Sequence, residues 1–238
     1  MLQISESDLV RKAVVTAPVS RAVVARYVAG ESVPEAVTVA GDLRTTNRLA
    51  TIDYLGEDTT DLARAETTRD TYVHLLDLLA EADLAAYGAA EVSVKLSAIG
   101  QALPADGDAI ALDNARAICE AARAAGTTVT LDMEDHTTTD RTLETLRTLR
   151  EDFPWVGAVL QSYLHRTEAD CRDLATAGSR VRLCKGAYKE PASVAFQDGD
   201  DVDLSYVRCL KVLMAGDGYP MVASHDPRLI EIAQALAG

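Results

Sequence analysis

The sequence predicts an α/β fold: a barrel of parallel strands, each followed by a covering helix. Three observations carry that expectation. From about residue 47 onward, short β-rich apolar runs alternate with longer stretches at helical spacing. Most of the short runs are apolar nearly throughout, as strands buried on both faces are. No GxGxxG or GxxxxGKS/T pattern follows any of them, so the usual phosphate-binding signatures of open doubly wound sheets are missing and closure into a (β/α)8 barrel is favoured.

Six βα units are expected. Their strands are residues 49–55 (LATIDYL), 91–97 (EVSVKLS), 127–133 (TTVTLDM), 156–163 (VGAVLQSY), 180–186 (RVRLCKG) and 220–224 (PMVAS). Residues 114–125, 140–150 and 204–214 space apolar side chains three and four apart with charges on the opposite face, as covering helices do. Ahead of the first strand, residues 6–29 read as largely helical, with a break at Pro18 and a stop at Gly30. Residues 1–46 are therefore expected to be an N-terminal helical leader and residues 47–238 a partial barrel, with no linker between them.

Composition narrows the classes of function. At 238 residues and 48% hydrophobic, the chain is long enough for one substantial core. A net charge of -14 argues against a nucleic-acid footprint, which needs clustered positive charge. No apolar run reaches the roughly 18 residues of a membrane span, and the start (MLQISESDLVRK) lacks the layout of a signal peptide, so the cytoplasm is the expected compartment. Cys119, Cys171, Cys184 and Cys209 form no CxxC pair and are read as reduced thiols.

In a barrel of parallel strands the chemistry sits at the C-terminal strand ends. Those ends offer Asp53, Tyr54 and Glu57; Lys95 and Ser97; Asp132, Met133 and Glu134; Gln161 and Tyr163; Arg182, Lys185 and Tyr188; Ser224 and His225. A lone polar residue at such a junction is more often a turn or cap group than a catalyst. Arg182 and Lys95 fall inside strand patterns, where a charge is costly unless an ion pair or a ligand meets it. Glu134, Asp135 and His136 read as a solvated acidic turn. Three chemistries remain open on residue types alone. A Schiff-base enzyme would use Lys95 or Lys185. A metal hydrolase would gather Asp132, Glu134, His136 and His225. A flavin enzyme would surround its cofactor with cationic and amide groups.

The runs TIDYLGE, VSVKLSAIG, LDMED, LQSYL, VRLCKGAYKE and VASHD, in this order and spacing, resemble bacterial monofunctional proline dehydrogenases. The resemblance extends from about residue 20 to the end of the chain. It implies a distorted (β/α)8 TIM-like barrel that holds FAD non-covalently and oxidises L-proline to 1-pyrroline-5-carboxylate. Electrons would pass to an acceptor such as a membrane quinone, from the cytoplasm or from a peripheral position on the inner face of the cell membrane.

Carried onto this sequence, the resemblance makes Asp132 and Arg182 the catalytic pair, with Arg182 near the reactive flavin nitrogen. Met133, Gln161, Arg182, Lys185, Gly186, Ala187, Ser224 and His225 would bind FAD. Lys95 would take the substrate carboxylate, and Tyr188 would lie beside the substrate ring. The charge inside the fifth strand would then be held by the cofactor. Two of the eight units are not found, and with them the paired arginines and the last-helix glutamate that grip proline in the family. The chain is thus expected to be a C-terminally truncated copy, either active or a remnant that keeps its flavin-facing residues. A metal-dependent barrel hydrolase is the competing enzyme.

Overall fold

The computed structural model describes residues 29, 30 and 32–238. Apart from Ala29, the expected helix over residues 6–29 lies outside the described residues. The first described helix is α1 (Val33–Thr45), opened by a capping box between Ser32 and Glu35. It is followed by β1 (Ala50–Asp53), α2 (Leu62–Glu81), β2 (Ala90–Val94), α3 (Gly107–Ala125), β3 (Val129–Leu131) and α4 (Thr139–Asp152). Then come β4 (Gly157–Gln161), α5 (Thr167–Leu174), β5 (Arg180–Cys184), α6 (Gly199–Ala215), β6 (Tyr219–Val222) and α7 (Pro227–Ala237).

The six strands form one all-parallel sheet in sequence order, curled into a half-barrel. Every expected strand is present, and each ends two or three residues before its apolar run does. Those last residues leave the ladder to form the loops that carry the polar groups.

Helix positions follow from local chemistry. In α2 the buried residues Ala65, Thr68, Tyr72, Leu75, Leu76 and Leu79 recur three and four apart and face the sheet. The Asp61 carboxylate accepts the Arg64 N–H at 2.9 Å and caps the helix start. Asp226 does the same for α7, accepting from Arg228 N–H at 3.0 Å, with Pro227 in the first turn. The main core lies between sheet and helices. Val92, Val94, Leu131, Leu160, Val181 and Leu183 point outward into Ile118, Leu146, Leu149, Leu210 and Leu213.

The inward face of the sheet is polar, and here β5 differs from a fully buried strand. RVRLC alternates, with Val181 and Leu183 buried and Arg180, Arg182 and Cys184 half-buried along the bore. In the lower tier of the bore, Arg180 donates to Glu91 at 2.8 Å. Glu91 also accepts from Thr51 at 3.0 Å and from Thr128. The Arg180 guanidinium lies 5.1 Å from the centre of the Tyr219 ring. Nothing in the apolar runs singles out Glu91, although it is the main acceptor of this tier.

Among the described residues β1 and β6 each pair on one side only. Exposed apolar side chains flank both edges: Leu49, Tyr54 and Leu55 at β1, and Tyr219 at β6.

Candidate active site

The centre of the site is the pair Arg182–Asp132. Arg182 projects inward from β5 and Asp132 follows β3; they form a short ion pair, and the same guanidinium nitrogen donates to Ser93 Oγ at 2.7 Å. Both side chains are half-buried. The charge inside the fifth strand is therefore held by a carboxylate and a hydroxyl of this chain, rather than by a cofactor alone. An arginine fixed on two sides has little freedom to reorganise, which is what an electrostatic stabiliser needs.

An open cavity of about 630 Å³ adjoins this pair. Its walls include Asp132, Met133, Gln161, Arg182, Lys185, Gly186, Ala187, Tyr188, Ser224 and His225. The expected residues from the ends of four strands, β3 to β6, thus come together on one surface. Lys95 is the exception. It stands outside that lining, at the end of β2, with its Nζ 2.6 Å from Asp53 Oδ2. Burial alone would lower the pKa of the Lys95 ammonium, but the hydrogen bond and charge of Asp53, with Asp132 and Glu57 further off, outweigh it and leave the pKa raised. Lys185 bridges Asp203 at 2.5 Å and Asp226 at 3.2 Å, and its pKa is raised chiefly by Asp203. Asp226 is held down at about 2 by Lys185.

Both lysines are thereby held charged, the opposite of the neutral amine that a Schiff-base nucleophile requires. The four residues of the metal reading also part company. Asp132 faces Arg182, Glu134 faces Ser97, His136 faces Glu190, and only His225 stays on the cavity wall with Asp132. Among the described residues no group of three or more His, Cys, Asp or Glu is placed to hold a metal ion.

Tyr188 and Gly186 are expected site residues, but their pairing with Glu57 and Tyr163 was not legible in the sequence. The Tyr188 hydroxyl donates to Glu57 at 3.1 Å, tying the loop after β5 to the loop after β1 across the open bore. Gly186 has φ +112, and a Cβ there would lie 2.3 Å from the Tyr163 ring, so only glycine fits. The backbone at 186 can then present itself to the cavity while lying on an aromatic face. A larger cavity, about 710 Å³, lies between α1, β1 and α2. It is lined mainly by apolar side chains such as Val33, Val39, Leu43 and Leu75, away from the Arg182–Asp132 pair.

The expected solvated acidic turn does not hold at Glu134, while Asp135 and His136 stay partly exposed. Glu134 is 5% exposed, and its carboxylate accepts the Ser97 N–H at 3.1 Å and the Ser97 hydroxyl. Burial raises its pKa. A carboxyl whose folded pKa lies above its unfolded value is held most favourably when protonated, so its contribution to stability falls as pH rises through the folded pKa. Glu134→Gln should therefore melt no lower than the wild type at pH 7, and its margin should shrink as the pH is lowered toward 5. Thermal melts of both proteins across that range check this.

The family model described as proline dehydrogenase matches residues 36–238. The chain belongs to the proline dehydrogenase family. It is 39% identical over 208 residues to a proline dehydrogenase of Deinococcus radiodurans, covering 87% of this chain and 66% of the relative. To proline dehydrogenase 1 of Bacillus subtilis it is 35% identical over 211 residues, covering 89% and 68%. Among solved structures it resembles proline utilization A (PutA) from Bdellovibrio bacteriovorus, inactivated by N-propargylglycine. That match has a TM-score of 0.81 at 25% identity and covers 92% of this chain and 27% of that one. The chain thus spans about two-thirds of the length of the proline dehydrogenases it matches, and about a quarter of the PutA chain.

Proposed function

We propose that this chain provides the flavin-facing part of an FAD-dependent proline dehydrogenase, with residues 47–238 as the cofactor-binding partial barrel and residues 1–46 as its leader. L-Proline would lose two electrons and two protons across its ring C–N bond to give 1-pyrroline-5-carboxylate, the electrons passing on to an acceptor such as a quinone. Among the described residues no helix is long and apolar enough to cross a membrane. The single observation that carries the reading is the Arg182–Asp132 pair set in a wall made of Met133, Gln161, residues 185–188, Ser224 and His225.

These residues fit a flavin. A fixed guanidinium, apolar contacts from Met133, Val159 and Ala223, and a glycine that permits close backbone approach are what a flat heteroaromatic cofactor needs. Bound FAD would supply the two-electron acceptor. Arg182, oriented by Asp132 and Ser93, would stabilise negative charge accumulating beside it. Lys95 would bind the proline carboxylate; an ammonium has three donors, so Asp53 can keep one while the substrate takes another. Tyr188, steadied by Glu57, would pack against the pyrrolidine ring.

The test is anaerobic addition of L-proline to the FAD-reconstituted chain, followed by flavin absorbance. Bleaching at saturating proline is expected, and a flavin that stays oxidised would overturn the catalytic assignment. The open bore of the six-stranded sheet favours one second reading, in which the 238-residue chain holds flavin without turning over proline. Flavin uptake with no bleaching would select it.

A further inference from the structure

Glu190 lies two residues beyond Tyr188, outside the cavity, with its side chain 3% exposed. Nothing in the proposed chemistry uses it. A carboxylate buried that deeply is strongly destabilising unless donors meet it. Here the donors come from two other loops. Its Oε1 accepts the His136 backbone N–H at 2.9 Å and the Tyr163 hydroxyl at 3.3 Å, and its Oε2 contacts His136 Nδ1. His136 belongs to the loop after β3, Tyr163 to the loop after β4, and Glu190 to the loop after β5. One carboxylate therefore ties together three of the strand-end loops that build the site.

The tie leads to the cavity wall by a short path. Tyr163 is the ring on which Gly186 rests, and the Tyr163 N–H donates to the Lys185 carbonyl at 2.9 Å. Glu190 N–H donates to the Tyr188 carbonyl at 3.2 Å, and Gln197 Nε2 donates to the Glu190 carbonyl at 3.3 Å. Residues 185–188 are thus held from beneath by Tyr163 and from the far side by Glu190.

We propose that Glu190, through His136 and Tyr163, is a positioning residue that fixes residues 185–188 in the shape the cofactor meets. This rests on the flavin reading above and deepens it. Glu190 touches neither cofactor nor substrate; it acts through the backbone it anchors.

The test uses the full chain and two readouts: amide hydrogen exchange of residues 186–189 without ligand, and FAD affinity from flavin fluorescence. Glu190→Gln and His136→Ala should each speed exchange at 186–189 by about tenfold or more, since a hydrogen bond to a charged group is involved, and should weaken FAD binding in the same direction. Exchange in the buried half of α3 should stay unchanged. His136→Asn, whose amide nitrogen replaces Nδ1, should restore most of both, and Tyr163→Phe, which keeps the ring under Gly186, should show a smaller form of the same effect. Exchange at 186–189 equal to wild type in Glu190→Gln and His136→Ala would overturn the proposal, and so would acceleration spread evenly over the chain. Should Glu190→Gln fail to fold, His136→Ala and Tyr163→Phe decide the matter alone. Wild-type protein that binds no FAD would sink the functional reading, while the exchange data would still decide whether Glu190 positions the loop.

Discussion

Arg182→Met should weaken FAD binding and slow proline-dependent flavin reduction together, each by about tenfold or more, as expected for losing a charge-assisted contact of roughly 1.5–3 kcal/mol. Methionine keeps the length of the side chain and most of its apolar packing, so the difference isolates the charge. The variant also leaves Asp132 without its cation, and a half-buried carboxylate that has lost its partner adds to the penalty. Some loss of thermal stability should therefore accompany the loss of cofactor. Equilibrium flavin titration and single-turnover reduction measure the two effects separately. Unchanged values in both would make Arg182–Asp132 a structural pair only, like Arg180–Glu91 one tier below.

A polypeptide limited to these 238 residues should self-associate. Among the described residues the outer sides of β1 and β6 pair with no other strand, and Leu55 at 72% exposure and Tyr219 at 56% stand beside them. Open edges of this kind template pairing with another chain. Appending two βα units from a longer family member should close the bore, convert the protein to a monomer and tighten proline binding at once. Sedimentation velocity on both polypeptides checks the expectation. A single sharp monomer peak with cooperative unfolding for the 238-residue form would show that its edges are protected by other means.

The strands and helices were legible because their signals are local. Apolar runs of four to eight residues mark β2 and β4, and three-and-four spacing marks α3, α4 and α6. The meaning of Arg182 was half legible. Alternation in RVRLC places it on the inward face, but its partner Asp132 lies 50 residues away and only the curl of the sheet brings the two together. Periodicity also left three chemistries open; the choice of flavin came from resemblance, and the ion pairs on Lys95 and Lys185 now argue against the Schiff-base route on physical grounds. Glu134 misled because an acidic residue in an acid-rich chain looks solvated, and nothing nearby in sequence announces Ser97 as its donor. Glu190 was invisible for the same reason, since His136, 54 residues away, gives it its setting. Long-range polar pairing leaves no periodic trace.

The proposed chemistry stands or falls on whether the strand ends of this half-barrel hold a flavin. The most direct measurement is the visible spectrum of the purified chain after incubation with excess FAD and removal of the unbound cofactor. A yellow protein carrying about one flavin per chain is expected, the stoichiometry of a single pocket filled by one ligand. A folded chain that remains colourless would contradict it.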